Sequence, residues 1–155
     1  MADRPTLNSD AVARALHGAF CRGASSEELL GLAASKMHAA GPPYDGVHMF
    51  SASPTGNLRL IAESGHSTDP GAPTSSSGMR QQAVIEKTNL YVPRFDPLGN
   101  HPAQRGAARS LLVVLIRRHN EVLGEIQIES ELPDGFNLVE QSAVVRVANA
   151  LAVLL

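Results

Sequence analysis

Apolar residues recur at intervals of three and four near the start of the chain, which predicts two helices. The first helix covers residues 9–22, and Ser9 or Asp10 can cap its start. Its apolar face consists of Val12, Leu16 and Phe20. The second helix begins at Ser25, with Glu28 three residues later as in a capping box. Both helices are therefore expected to bury one side only.

The apolar period then changes to two, which is typical of strands. Five strands and two helices follow from this pattern and from its breaks: the hairpin 44–52 and 57–64, helix 79–88, strand 89–93, the hairpin 110–118 and 121–130, and a last helix from about Asn137. Glu140, three residues later, is the expected capping-box partner of this last helix. Two segments rich in small and polar residues, 65–78 and 94–108, are expected to be loops.

This order of elements predicts an α+β domain with a central antiparallel sheet. The terminal helices are expected to pack together on one face of the sheet, with the middle helix and the two loops over the other face. The length of 155 residues fits one domain, residues 1–155.

The amino-acid composition mainly serves to exclude classes of function. The formal net charge is −2 and no basic run is present, so a nucleic-acid partner is not expected. No apolar run approaches the ~18 residues of a membrane span, and the polar N-terminus is unlike a signal peptide. The single cysteine, Cys21, rules out an internal disulfide and favours a reducing, cytoplasmic location.

Three segments, in this order and spacing, resemble the GAF family, whose sensor fold is PAS-like. They are DGVHMFSASPTGNLRLIAESG, GMRQQAVIEKTNLYVPRFD and RSLLVVLIRRHNEVLGEIQIES, the last with Gly124 at the family's usual glycine. The resemblance covers about residues 26–150. It implies a six-stranded antiparallel sheet with the terminal helices behind it, a ligand cavity between the sheet and the loops, and dimerisation through the terminal helices.

The closing segment is most similar to one enzymatic GAF group, the free methionine-(R)-sulfoxide reductases. That group uses cysteines on the two pocket loops, whereas the matching stretches here, SSSGMRQ and GNHPAQRG, contain none. Sulfoxide reduction needs a thiolate nucleophile and a resolving thiol. Cys21, on the first helix, is expected to be a small buried residue. The sequence therefore predicts no catalytic residue, and the reductase is kept as an alternative.

Among six histidines only His48 lies within a predicted strand, and no pair has metal-ligand spacing. Alternation places Tyr44, Gly46, His48 and Phe50 on one face of that strand. In the GAF comparison this face points to the cavity, so Tyr44 and His48 are candidate ligand-binding residues. The alternative is an ordinary strand histidine with satisfied hydrogen bonds.

The other candidate ligand-binding residues lie on the closing hairpin or at its start. Gln127 and Glu129 share a face with Glu125, and this face is either the cavity floor or a solvated side of the sheet. Leu111 makes the neighbouring strand apolar, as in small-molecule sites. Arg109 could bind a carboxylate or phosphate at the pocket mouth, although a plain surface charge is the alternative. The sequence indicates no particular ligand or cofactor, and no metal.

The resulting hypothesis is a homodimeric GAF module that senses a small molecule or binds a partner. A degenerate GAF fold kept as a dimerisation scaffold is the other non-enzymatic alternative. The dimer hypothesis depends on apolar residues spread over more than one side of the last helix: Val139, Val144, Val145, Val147, Ala148, Leu151, Val153 and Leu155. One apolar side suffices for packing on a sheet. The remainder is expected to be exposed in a monomer, beside Val12, Leu16 and Phe20.

Overall fold

The computed structural model describes residues 4–65, 75–94 and 109–155. Its elements follow the predicted order: α1 (Ser9–Cys21), α2 (Ser26–His38), β1 (Gly46–Ala52), β2 (Leu58–Gly65), α3 (Ser75–Glu86), β3 (Leu90–Val92), β4 (Ser110–Arg118), β5 (Glu121–Ser130) and α4 (Leu138–Leu154). The predicted loop 65–78 is wrong at its end, because α3 already begins at Ser75. Its residues 66–74, and 95–108 of the second loop, lie outside the described residues.

The strands form one antiparallel sheet in the order β2-β1-β5-β4-β3. Both predicted hairpins are confirmed, since β1 pairs with β2 and β4 pairs with β5. The β1–β2 turn closes through Ser53, whose carbonyl accepts from the amide of Gly56 at 2.8 Å. Gly56 has a φ of +87°, which a glycine adopts at little cost. The described part of the sheet has five strands, one fewer than the GAF resemblance implies.

The α+β class and the position of the terminal helices are confirmed. Side chains of α1, α2 and α4 pack with one face of β1, β4 and β5 in the main hydrophobic core. The capping box of α2 is also confirmed: Ser25 Oγ accepts from the Glu28 amide, and Glu28 Oε1 accepts from the Ser25 amide. The predicted cap of α1 is wrong by one or two positions, because the Asn8 side chain accepts from the Ala11 amide.

Glu140 in α4 joins the chain's beginning to its end. Asn137 caps α4, but the carboxylate of Glu140 accepts from the amides of Thr6 and Leu7 and from the Tyr44 hydroxyl, the last at 2.6 Å. The predicted capping-box role of Glu140 is therefore replaced by a tertiary one. Burial and the neighbouring Glu140 raise the pKa of Tyr44, so its hydroxyl keeps the proton that it donates.

The apolar residues of α4 lie mostly within the chain's own core. Val144, Val147, Ala148 and Leu151 are at most 1 % exposed and form the side of α4 that packs in the core, so the exposed remainder is smaller than the sequence predicts. Val12 and Leu16 in α1 are likewise buried. The larger apolar side chains left exposed on the two helices are Phe20 in α1 and Leu138, Val139 and Val153 in α4. Within the described ranges, no helix is both long and apolar enough to cross a membrane.

Candidate functional site

The sheet face opposite the terminal helices carries a set of polar side chains beneath α3. We call it the buried polar cluster: His48, Glu63, Arg80, Glu125, Gln127 and Glu129. Strand register explains most of it, because His48 on β1 lies opposite both Gln127 on β5 and Glu63 on β2. Residues of one antiparallel register pair point to the same face. Arg80 joins the cluster from α3 above the sheet.

Most of the cluster is withdrawn from water. Glu125 is 0 % exposed, Gln127 1 %, His48 2 % and Glu129 4 %. The alternative of a solvated sheet face is thus wrong for these positions. Buried charges and amides are costly unless they find partners. The side chains on this face therefore either form a self-contained polar network or bind a ligand that supplies the missing hydrogen bonds.

Arg80 is the cation of the cluster. Its Nη1 donates to Gln127 Oε1 at 2.8 Å, and its guanidinium carbon lies 4.5 Å from the centroid of the Phe50 ring. Stacking of a guanidinium on an aromatic face is a favourable cation–π arrangement. Burial lowers the pKa of Arg80, while the nearby carboxylates of Glu125 and Glu129 oppose that shift.

Glu125 is the least satisfied member of the cluster. Within the part of the chain that the structure describes, neither of its carboxylate oxygens has a hydrogen-bond partner. Burial raises the pKa of Glu125 to about 8, although the positive charge of Arg80 works against that shift. Near neutral pH this side chain is therefore mostly a neutral acid that could donate a hydrogen bond, and it becomes an anion in mild base.

Among the described residues, only one ring nitrogen of His48, Nδ1, has a side-chain partner within hydrogen-bond distance. Its Nδ1 lies 3.3 Å from Glu63 Oε2, whereas its Nε2 lies 3.9 Å from Glu129 Oε2 and has no hydrogen-bond partner among the described residues. Burial lowers the pKa of His48 despite the Glu63 carboxylate, and Arg80 adds to the lowering. The imidazole is therefore expected to be neutral at physiological pH, with one nitrogen directed into the cluster.

Apolar side chains surround the polar ones on this face. Leu111, Val113 and Leu115 project from β4, and Ala83 and Val84 reach down from α3 to close a second, smaller hydrophobic core. Gln127 also donates through Nε2 to Glu129 Oε1 at 3.2 Å, which fixes the two side chains relative to each other. An apolar surround with a few convergent polar groups is the usual composition of small-molecule sites.

Four of the six predicted site residues come together here. His48, Gln127 and Glu129 form the polar floor, and Leu111 is buried beside them. Whether they bind a ligand stays a prediction. Arg109 is exposed, and its backbone amide donates to the Ser130 carbonyl at 2.6 Å; its proposed ligand contact also stays a prediction.

The placement of Tyr44 was wrong. Tyr44 precedes β1 and lies in a turn, where its amide donates to the Gly41 carbonyl, so the strand's alternation does not extend to it. Its ring packs edge-on against Phe136 in the main core, with the centroids 5.9 Å apart. Tyr44 therefore lies on the side of the terminal helices, opposite His48.

The sequence patterns did not identify Arg80 or Glu63 as site residues, and they did not predict the raised pKa of Glu125. Arg80 was detectable, because it lies three and four residues before Ala83 and Val84 and so shares their helix face. Glu63 was detectable only once the register opposite His48 was known. The lack of a hydrogen-bond partner for Glu125 among the described residues could not be inferred from the sequence, since it depends on which side chains of α3 lie over β5.

The described residues contain no group of three metal-ligating side chains placed to hold a metal ion. The chain's single cysteine, Cys21, is exposed rather than buried as expected. It lies on α1, whose contacts are with α2 and α4 on the far side of the sheet from the buried polar cluster. Its sulfur is 3.8 Å from Nδ1 of His17, one helical turn earlier.

Comparisons with solved structures identify the fold. A free methionine-R-sulfoxide reductase of Staphylococcus aureus in complex with substrate is similar with a TM-score of 0.76 and 14% identity, covering 99% of each chain. A type II free methionine-R-sulfoxide reductase from Thermoplasma acidophilum has a TM-score of 0.67 and 24% identity, covering 83% of this chain and 90% of that one. The phycoerythrobilin-bound GAF domain of a cyanobacterial phytochrome has a TM-score of 0.72 and 16% identity, covering 96% and 94%.

The chain therefore has the GAF fold, and its resemblance to GAF proteins is confirmed at that level. Both sensory domains and reductases with this fold are among the similar structures, so the fold is shared by the two classes. No protein-family model matches the sequence. No curated protein matches it either.

Proposed function

We propose that this protein is a ligand-sensing GAF module whose site is the buried polar cluster beneath α3. The observation that carries the proposal is the Glu125 carboxyl, which is fully buried and lacks a partner among the described residues. An unsatisfied buried polar group typically costs about 1–3 kcal/mol. A ligand that hydrogen-bonds to Glu125 and to Nε2 of His48 would offset that cost. Similar structures include one with bound phycoerythrobilin and one with bound substrate.

A thermal-shift screen with nucleotides, amino acids, organic acids and amines tests the proposal directly. A compound at 100 times its dissociation constant should stabilise the fold by about 2.7 kcal/mol. We expect Gln127→Leu to weaken binding of any such compound by about 1–3 kcal/mol, because a buried hydrogen bond is lost. Calorimetric titration of wild type and variant measures the difference.

Gln82→Leu is the matched control, since Gln82 is exposed on α3 and its side chain donates to Glu86 on the same helix. Equal affinities of wild type and Gln127→Leu for a compound found in the screen would place that compound outside the buried polar cluster. A screen without any stabilising compound would favour the other non-enzymatic alternative, a degenerate GAF fold kept as a dimerisation scaffold.

The regulatory part of the proposal is a homodimer formed through α1 and α4. The amides of Thr6 and Leu7 bond to Glu140, so α1 and α4 begin side by side and run in the same general direction. Phe20, 46 % exposed, and Val153, 79 % exposed, then lie towards the same end of the helix pair. Exposed apolar groups of this kind often mark interfaces.

For the dimer we expect Val153→Asp to lower the sedimentation mass at micromolar concentration towards that of a monomer. A buried aspartate in the interface would have to lose its hydration. Leu151→Asp is unsuitable, because Leu151 lies in the chain's own core and its substitution would unfold the domain. Ile85→Asp is the control, an exposed apolar residue on α3. Wild-type protein that sediments as a monomer would contradict the dimer.

The reductase alternative has structural likeness in its favour, since two of the similar proteins are free methionine-R-sulfoxide reductases. We infer nevertheless that this chain does not catalyse that reaction, because its single thiol lies across the sheet from the buried polar cluster. The route needs a thiolate at the substrate and a second thiol to resolve the sulfenic acid.

We therefore expect no thiol-dependent reduction of free methionine-(R)-sulfoxide by the wild-type protein. Cys21→Ser should behave like wild type in an assay that follows methionine release. Turnover that disappears in Cys21→Ser would overturn the inference. The single cysteine also supports the proposed cytoplasmic location.

A further inference from the structure

We infer that the buried polar cluster is an organic-cation site, suited to an amine or guanidine, and that Arg80 occupies its cation subsite from within the chain. The inference rests on the proposed function, because it names the class of ligand and what that ligand competes with. It is carried by the arrangement of charges and by the contacts of Arg80.

The charges of the described residues in the cluster are unequal. Glu63, Glu125 and Glu129 bring three carboxyl groups from β2 and β5, while Arg80 is the one cluster residue with a permanent positive charge. His48 does not add a positive charge, because burial lowers its pKa and favours the neutral imidazole. Counted over these side chains alone, an added cation would reduce the imbalance of charge, whereas an added anion would increase it.

The groups around the guanidinium of Arg80 form a recognisable cation subsite. The aromatic face of Phe50 lies 4.5 Å below it, and the carbonyl oxygen of Gln127 accepts its Nη1 proton at 2.8 Å. Glu129 supplies negative charge close by, and Glu125 supplies a buried carboxyl group whose ionisation a bound cation would favour. An aromatic face with acidic and carbonyl oxygens is the usual way proteins bind ammonium and guanidinium ligands.

Arg80 leaves this subsite incompletely satisfied. Both oxygens of Glu125 lack hydrogen-bond partners among the described residues, although the positive charge of Arg80 is near. A ligand amine has three donors and no side-chain tether, so it can reach acceptors that a guanidinium on α3 cannot. Such a ligand would compete with Arg80 for Phe50 and Gln127 while adding hydrogen bonds to Glu125.

Three probes that share a benzyl or phenyl group but differ in charge test this: benzylamine, benzyl alcohol and benzoate. Calorimetric titrations of the full chain compare wild type, Arg80→Gln and Glu125→Gln, with Arg94→Gln as the control. Arg94 is exposed and paired with Asp134 through a 2.7 Å contact. We expect wild type to prefer benzylamine, Arg80→Gln to bind it at least tenfold more tightly, and Glu125→Gln to bind it at least tenfold more weakly.

A second measurement does not depend on the folding of the variants. Titration of wild-type protein with benzylamine should move the Arg80 Nε–H resonance, and the same concentration of benzyl alcohol should not. Preference of wild type for benzoate, or unchanged benzylamine affinity in Arg80→Gln, would overturn the inference. A screen that yields an anionic ligand dependent on Gln127 would keep the proposed function and refute the cation site. A screen without any ligand would remove both.

Discussion

Replacing Gly124 with alanine is expected to destabilise the sheet strongly by disrupting the pairing of β1 with β5. A Cβ at Gly124 would lie 2.2 Å from the backbone carbonyl oxygen of Phe50 on the neighbouring strand β1. A backbone carbonyl within a paired strand cannot rotate away as a flexible side chain can. The β1–β5 ladder would have to open, which should lower the free energy of unfolding by about 3 kcal/mol or more.

Urea unfolding followed by circular dichroism measures this loss. Gly78→Ala is the matched control, because a Cβ at Gly78 in α3 meets nothing within 4 Å. Alanine should stabilise that helix by up to about 1 kcal/mol. Equal stability of Gly124→Ala and wild type would mean that β1 and β5 are not paired in this register. Since Phe50 belongs to the site, the same substitution should also impair ligand binding.

The second large effect is a decrease in the free energy of unfolding as the pH rises above 7, and this decrease depends on Glu125. Burial raises the pKa of Glu125 to about 8 in the folded protein, above its ordinary value of 4.5. The folded state then binds a proton that the unfolded state has released, so stability falls as pH rises between these two values. The total is about 5 kcal/mol, of which about 1 kcal/mol falls between pH 7 and 9.

His48 acts in the opposite direction and at lower pH. Burial lowers the pKa of His48, so its contribution to stability increases as pH rises towards about 6.5 and is constant above that. Among the described residues, Arg80 from α3 is the charged group that acts on Glu125, and its strand partners are Phe50 on β1 and Leu115 on β4. The interval from pH 7 to 9 therefore isolates the effect of Glu125 from that of His48.

Urea unfolding of wild type and Glu125→Gln at pH 7, 8 and 9 checks this expectation. Wild type should lose stability over that interval relative to Glu125→Gln, whose side chain does not titrate. Glu121→Gln, at the exposed start of β5, is the control and should follow wild type. Parallel pH profiles of wild type and Glu125→Gln would mean that Glu125 is ionised in both the folded and unfolded states.

The close approach of β1 and β5 links Gly124 to the buried polar cluster. Gly124 sets how closely β1 approaches β5, and that approach places Phe50 next to Glu125. Glu125 then lies under Arg80 without a hydrogen bond of its own among the described residues. Binding of a cation should therefore favour the ionised form of Glu125 and become tighter as pH rises from 7 to 9.

Local patterns in the sequence were enough for the element order, the two hairpins and the capping box of α2. These features depend on residues a few positions apart: Ser25 and Glu28 satisfy each other's amides, and β4 and β5 alternate about a short turn at His119. Alternation within each strand, together with the GAF resemblance, placed His48 and Gln127 on one face, and the β1–β5 register pairs them. Such short-range constraints are present in the sequence itself.

Tertiary structure decided which polar residues are buried and what they contact. The carboxylates of Glu125 and Glu140 look alike in sequence. Glu125 lies under α3 without a hydrogen-bond partner among the described residues, whereas Glu140 accepts from Tyr44 and two N-terminal amides. Tyr44 packs in the main core because it precedes β1 and does not follow the alternation of that strand. Most apolar residues of α4 are buried against other parts of the same chain. Burial of a side chain is determined by the distant element that covers it, and no periodicity within a single helix or strand encodes that element.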